Sequence, residues 1–506
     1  MKHLKKLSLV LCLAMLAASF AGCGAKQSSN EQVTLNWMIL VPGNQPDQQM
    51  VWDKFNEELA KVLPNTTVNF LPVINSEYKK RFDLALAGGD PLDIAFAGWL
   101  VPLAAEVRKG SFLELNELLD KYGKDVYKSM DEWVWKLTTI DDGIYAVPNN
   151  QGMAKGRFSM ITHKEYADKY LDAEKIQKIF EASDTFDEPM YDAIEEYLEK
   201  LKQNGVLGKG INTTFMPGVD VKGFDAVEDR YYVRRGDDSY QIEYKWLIPE
   251  SKLMFQKARE FFKKGYVRKD MLSLETPRKD EGKEDGYTVW FTQYTKDQSE
   301  TLTIQNGYPT TAIPMSQKFF LDGGAIAQTS TAIPYTSKNP ERAMQLINLI
   351  FSEKGKDLYN LLTFGIEGVH YNKVSGDVIR PVDYEVTPKA DSKYGLNKWV
   401  AGNSFLAYSL AGEPDGYNDY LNNEVNRDSD KSPLLGFRFD NTNVKVEMAQ
   451  VQAIASEFIL PLSTGAIEDA EAQYDLFVKK LKDAGVEKVK AEMQKQLDEF
   501  VKKNLK

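Results

Sequence analysis

The sequence predicts an α/β protein whose chain opens on a parallel sheet. Three observations carry that expectation. Strand-like and helix-like segments alternate through the first hundred residues, the rhythm of a sheet built from crossover units. The chain has 506 residues, and at roughly 100–200 residues per domain it divides into two or three lobes. Hydrophobic residues make up 43% of it, enough for a large core.

The elements follow in order. "VTLNWMIL" at 33–40 is β-rich, and "PGNQPDQQ" breaks it with two prolines and a glycine. Val51, Phe55, Leu59 and Val62 recur at helical spacing up to Pro64. "TTVNFLPV" reads as the next strand. "SEYKKRFDLALAGG" reads as a helix capped by Ser76 and stopped at Gly88-Gly89. "PLDIAFAGW" is then a short buried strand.

Beyond residue 100 the rhythm changes. "KLTTIDDGIYAVPN" carries two β-rich runs around Asp141-Asp142-Gly143, a hairpin signal. Residues 165–205 read as helical, and 231–246 lean to β. "SKLMFQKAREFFKKG" is amphipathic, and a further helix starts at Asn339-Pro340. The end of the chain shows two amphipathic helices broken near Gly485. "PRKDEGKEDG" at 277–286 reads as an exposed charged loop.

The formal net charge is −11. An acidic chain repels phosphate backbones, so no nucleic-acid partner is expected. The chain starts "MKHLKKLSLVLCLAMLAASFAGC": a basic head at Lys2, Lys5 and Lys6, an apolar run from Leu7 to Phe20, then Ala21 and Gly22. This is the pattern of a secretory signal, too short for a typical transmembrane helix.

Only two cysteines occur, Cys12 within the apolar run and Cys23 just after it. Cleavage after Gly22 would leave Cys23 alone, with no intrachain disulfide possible. "FAGC" resembles a bacterial lipobox, with Phe20 where Leu is commoner. The resemblance implies a signal peptide at 1–22, a lipid on Cys23 and a flexible polar tether at 23–32. The competing reading is a plain secretory signal with an incidental cysteine.

Six segments taken together resemble bacterial extracellular solute-binding proteins of the ABC-transporter sugar class. They are "DPLDIAFAGW", "KGSFLELNELLDKYG", "DDGIYAVPNNQ", "TSTAIPYTSKNPERAMQLINLIFSEKG", "LLTFGIEGVHY" and "PLLGFRFDNTNVKVEMAQV". The last two are similar to the LplA-like lipoproteins, which carry a C-terminal extension. The resemblance implies a two-lobed, periplasmic-binding-protein-like clamp of type II, with a ligand cleft between lobes joined by hinge strands. It implies one lobe from 33–147 and 325–385, and a second from 148–324 and 386–506. It further implies a carbohydrate ligand, an oligosaccharide in keeping with the chain's size and aromatic content. Membrane permease subunits are the implied partner, a monomer the expected state, and the outer face of the cytoplasmic membrane the location.

A sugar offers CH patches on its faces and hydroxyls around its rim, so its site needs aromatic plates beside planar amides and hydroxyls. Such mixtures stand where the resemblance places chain crossings and strand ends. They are Trp37, Trp99, the run Asn149-Asn150-Gln151, Trp290 and Tyr294, the set Gln328, Thr329 and Thr331, and Trp399 with Asn403 and Phe405. Trp52, Trp133, Trp135 and Trp246 read as structural. Arg157, Arg234 and Arg235 could pair with an acidic sugar, but read better as solvated surface residues.

The alternative class is a lipid-anchored glycoside hydrolase or lyase. It needs two separated carboxylates, and Asp141-Asp142 suits a turn better. After Gly22 only His163 and His370 remain, 207 residues apart, and no HExxH, G-x-S-x-G or phosphate-loop motif occurs. The chain therefore reads as no enzyme. A surface glycan sensor without a permease is a third reading. Asp428 and Asp430 in "NRDSDKS", and the stretch "DGYNDYLNNE", lack full calcium-loop spacing. No metal or cofactor is expected.

Overall fold

The computed structural model describes residues 31–505 apart from 155–157, 215, 217–221, 294–295, 316–317 and 386. The signal, Cys23 and most of the tether lie outside the described residues, as do Arg157 and Tyr294.

The strand Val33–Val41 pairs in parallel with Thr66–Ile74, from Val33↔Thr66 to Val41↔Ile74. On its other side it pairs in parallel with Ile94–Gly98. The helices Gln48–Val62 and Asn75–Gly88 are the crossovers. This is the expected α/β opening. Val51, Trp52, Phe55 and Leu59 form the buried stripe of the first helix, while Val62 is exposed. Trp37, Trp52 and Phe55 converge on the ring of Phe70, at centroid distances of 5.6, 5.2 and 5.4 Å. The second helix begins one residue before Ser76, and no side chain caps it; Gly89 closes it in the left-handed region.

Two later segments complete the sheet. Thr329–Ala332 runs antiparallel to Ile94–Gly98, and Val147–Pro148 runs antiparallel to Thr329–Ala332. The chain thus leaves and re-enters this sheet at adjacent strands, so both crossings lie side by side. Asp141 and Asp142 occupy a hairpin turn between Thr139–Ile140 and Gly143–Ile144, both with positive φ.

The second lobe is built on Phe158–His163, flanked antiparallel by Val289–Gln293 and Thr310–Pro314. Its core joins the helices Glu188–Gln203 and Pro249–Lys263 to the C-terminal helices Lys445–Thr464, Ala470–Asp483 and Val486–Asn504. The break at Gly485 stands as expected, at φ 91°.

The lobe boundary differs from expectation after residue 386. Tyr394, Leu396, Val400 and Ala401 pack in the first lobe's core. Leu406, Ala407, Tyr408 and Leu410 pack with Tyr359, Phe364 and Ile379 on a satellite of that lobe. Apolar burial holds this segment on the first lobe, so the last crossing comes after residue 410. A small separate core takes Leu137, Ala154, Phe319, Leu321, Ala327, Tyr420, Val425 and Leu435 from the crossing segments. The result is a two-lobed α/β clamp with an apolar knot between its halves.

Candidate functional site

The crossings are held by buried polar side chains bonded to the neighbouring segments. Asn149 Nδ2 donates to the carbonyls of Trp399 (3.1 Å) and Val400 (2.9 Å), and its Oδ1 accepts from Thr331 Oγ1 at 2.8 Å. Asn150 bonds through its backbone: its N–H donates to Gly402 O, and its carbonyl accepts from Ser404 N. Asn426 Nδ2 donates to Gln151 O at 2.7 Å, while its Oδ1 accepts from Met153 N at 2.7 Å. Buried polar groups must be paired, and here the pairing stitches three crossing segments together.

This places Asn149 and Thr331 at the hinge, buried and bonded to one another, with Asn149 also bordering the larger of the cavities beside it. Substituting Asn149 by Ala would strand the Val400 carbonyl and the Thr331 hydroxyl. Unfolding in urea should then show a loss of about 1–3 kcal/mol. An unchanged midpoint would remove Asn149 from the hinge.

Two adjoining cavities lie beside this hinge, of about 740 and 360 Å³. Both are lined by Gln151, Gly152, Ala154 and Gln293, which form the neck between them. Gln151 Nε2 donates to Thr329 Oγ1 at 2.7 Å, which fixes the amide plane at the neck.

The larger cavity has Gln328 and Thr329 on the first-lobe side. Opposite stand Glu228, Asp229, Arg230 and Tyr232, with Phe320 and Asp322 beside them. Arg235 stacks on Phe320 at 3.5 Å from its centroid, and its Nε donates to Phe224 O at 2.6 Å. It supports the wall from behind and is no solvated surface arginine. Arg234 likewise grips Glu250 through two nitrogens, at 2.8 and 3.3 Å.

Asp225 lies behind the same wall, 3% exposed. Its Oδ1 accepts from Gly323 N at 2.6 Å, and its Oδ2 accepts from Ser432 Oγ. Burial pushes its carboxyl up to about 7, against the opposing pull of those two bonds. Burial also raises the Glu228 carboxyl.

The smaller cavity has Trp399 as its aromatic plate, with Asn397, Tyr417 and Asn418 around it. Lys398 Nζ grips both oxygens of Glu413, at 2.7 and 2.9 Å. Tyr417 stacks on Tyr420 at 6.0 Å. Aromatic faces, amides and hydroxyls thus converge in one cleft.

The other sequence-chosen residues divide. Trp37 is 2% exposed and Trp290 3% exposed, each inside a lobe core. Neither lines the two cavities: Trp37 lies on an inner strand and Trp290 on an edge strand, and both side chains are buried in apolar packing. Trp99 is 45% exposed at the end of Ile94–Gly98, where its N–H donates to Gln328 O at 3.1 Å. That approach requires Gly98: a Cβ there would stand 2.1 Å from Gln328 O, and its φ is 142°. The small residue in "AGW" therefore sets Trp99 beside the cleft strand. Asn403 is buried, and its Oδ1 accepts from Phe405 N at 3.1 Å. Phe405 is half-buried and lines neither cavity.

Sequence reasoning missed the wall formed by 228–232 and 320–322, and the plates at Tyr417 and Tyr420. The run "LDGGAIAQ" at 321–328 was the available signal, since small residues let a backbone line a cleft closely. In "NRDSDKS", Lys431 Nζ donates to the carbonyls of Asn426 (3.1 Å), Arg427 (3.0 Å) and Ser429 (2.9 Å). An ammonium occupies that ring of oxygens. Among the described residues, no group of three or more His, Cys, Asp or Glu is placed to hold a metal ion.

Comparison with known proteins places this geometry. Residues 433–502 match a domain of unknown function, DUF3502. The chain is 25% identical over 520 residues to a carbohydrate ABC transporter substrate-binding protein of Streptococcus pneumoniae serotype 4, covering 99% of each chain. It is 25% identical over 395 residues to the polygalacturonan/rhamnogalacturonan-binding protein YtcQ of Bacillus subtilis, covering 72% of this chain and 74% of that one. Among solved structures, the N-glycan transport solute-binding protein NgtS of Streptococcus pneumoniae superposes with a TM-score of 0.76 at 23% identity, covering 93% of this chain and 99% of the other. The chain is thus similar over its whole length to carbohydrate ABC-transporter substrate-binding proteins, and it has their two-lobed fold.

Proposed function

We propose that the protein captures an oligosaccharide in the interlobe cleft and delivers it to an ABC-type importer. The observation that carries this is the two-cavity cleft at the hinge, walled by aromatic plates and oriented amides. Ligand pockets commonly hold about 300–1,000 Å³, and the two adjoining cavities of about 740 and 360 Å³ give room for several sugar rings. The names of the relatives, an N-glycan transport solute-binding protein and a polygalacturonan/rhamnogalacturonan-binding protein, support the ligand class.

In this reading Trp399 and Trp99 stack on sugar faces, while Gln151, Gln328 and Thr329 meet hydroxyls. The lobes close over the ligand by bending at the Asn149–Asn150 crossing, a common ligand-driven motion. The protein acts as a monomer and binds without catalysis.

A thermal-shift screen of the domain after Cys23 against a glycan library tests the capture step, because a ligand raises apparent stability by mass action. Each hit should bind stoichiometrically and be recovered intact. Turnover of a hit would move the protein to the hydrolase or lyase class, and a screen without any shift would remove the glycan reading.

The lipid on Cys23 would hold the clamp near its permease and raise their effective concentration. Cys23→Ala should shift the protein from the membrane fraction to the medium, with the mass of a diacylglycerol adduct lost from the mature N-terminus. A substituted protein that stays with the membrane would end the lipoprotein assignment.

A further inference from the structure

The matched domain of unknown function does more than extend the second lobe. Its first residues, 433–439, lie on the second lobe where it meets the first, behind the larger cavity. Leu434, Phe437 and Phe439 pack in the second lobe's core, whereas Leu435 joins Leu137 and Ala327 in the apolar knot. Gln496 holds the end of this turn from the last helix, donating to Asp440 O at 2.9 Å and accepting from Asp440 N at 2.8 Å.

Two guanidinium groups tie the turn to the other lobe. Arg438 Nη2 donates to Lys136 O at 2.9 Å, and its Nη1 donates to Phe437 O at 2.6 Å. From the first lobe, Arg108 Nη2 reaches Phe439 O at 3.5 Å. Glu228 and Asp440 both feel the charge of Arg108, and Glu228 also feels that of Arg438. Further out, Lys503 pairs with Asp142 on the first-lobe hairpin at 3.3 Å.

We propose that the 433–439 turn is a strut that sets the angle between the lobes, with Arg438 as its pin. Arg438 is then a positioning residue for ligand capture, acting through lobe geometry without touching ligand. The inference rests on the capture reading, but its direct consequence does not need a ligand. A strut fixed to one core and hydrogen-bonded to the opposite lobe limits how far the lobes swing. It therefore determines how much strain closure must overcome, and with it the apparent affinity.

Small-angle X-ray scattering of the ligand-free chain after Cys23 tests this. Arg438→Ala should give a larger radius of gyration and a broader distance distribution. Arg108→Glu replaces an exposed cation by an anion facing Glu228 and Asp440, so repulsion should open the lobes in the same direction without disturbing either core. Arg438→Lys, which retains one donor, should lie between Arg438→Ala and the parent. Lys169→Ala, on an exposed helix of the second lobe, should scatter as the parent does. Scattering from Arg108→Glu that superimposes on the parent overturns the strut, even if Arg438→Ala fails to fold. A failed glycan screen with opened Arg108→Glu lobes would remove the ligand class and keep the strut.

Discussion

Asp225→Asn is expected to stabilise the protein at pH 8 by up to about 4 kcal/mol and to change little at pH 4. The reason is the buried carboxyl behind the cleft wall, raised from an ordinary 3.8 to about 7 by its removal from water. Between those two values the folded protein holds a proton that the unfolded chain has released. Stability from this group is therefore complete below pH 4, falls as pH rises through 7, and is flat beyond. Asn cannot ionise, so the variant escapes that loss. It can also keep both contacts: its oxygen accepts from Gly323 N, and its amide nitrogen donates to Ser432 Oγ. Urea unfolding at several pH values should show the two proteins converging in acid and diverging through neutrality. Parallel pH profiles would mean that Asp225 ionises freely, and the buried account of the site would fail.

The same residue links stability to the cleft. Gly323 precedes Gly324, whose N–H donates to Ala226 O at 2.7 Å, and Ala226 N donates to Asp322 Oδ1 at 3.2 Å. Asp225 thus anchors a three-way junction of the 224–228 strand, the 322–324 turn and Ser432. Charging it loads the junction that shapes the larger cavity.

Which parts of the architecture could be read from sequence follows from how local their causes are. The parallel opening was legible because each cause lies within a few residues. Ile94–Gly98 is buried at every position, as expected of a strand covered on both faces, and its sequence is correspondingly apolar. The Asp141-Asp142 turn was legible because both residues must take positive φ there, and short polar side chains tolerate that. The return of 394–410 to the first lobe was not legible. For 406–410 it depends on Tyr359 and Phe364, more than forty residues away, offering an apolar face. Asn149 illustrates the same limit at the site. The residue type suggested a sugar ligand, yet both its amide protons go to Trp399 and Val400 and its oxygen accepts from Thr331, while it borders the larger cavity. An amide at a crossing can serve ligand or hinge, and only the opposing chain decides which.

Two tryptophans chosen on the same sequence grounds should separate by experiment. Trp290→Ala is expected to cost about 3–5 kcal/mol of folding stability while leaving ligand affinity of the folded fraction unchanged. Trp290 is buried in the second lobe's core, where Ile161 pairs with it across the strands, and truncation leaves a void that rigid neighbours cannot fill. Trp399→Ala should do the reverse. Its ring is half-buried at the smaller cavity, and its carbonyl is already held by Asn149. The ring packs only partly against the first lobe's core, so less packing is lost than at Trp290, but a flat plate for a sugar face goes with it. A well-placed aromatic anchor is worth about 1–3 kcal/mol, a weakening of about 5- to 150-fold in Kd. Urea unfolding and calorimetry with a glycan from the screen, run on both variants, give four numbers. If Trp290→Ala weakens binding at unchanged stability, the core assignment is wrong. If Trp399→Ala binds as the parent does, the smaller cavity is not part of the ligand site, and the ligand must lie wholly between Gln328 and the 228–232 wall.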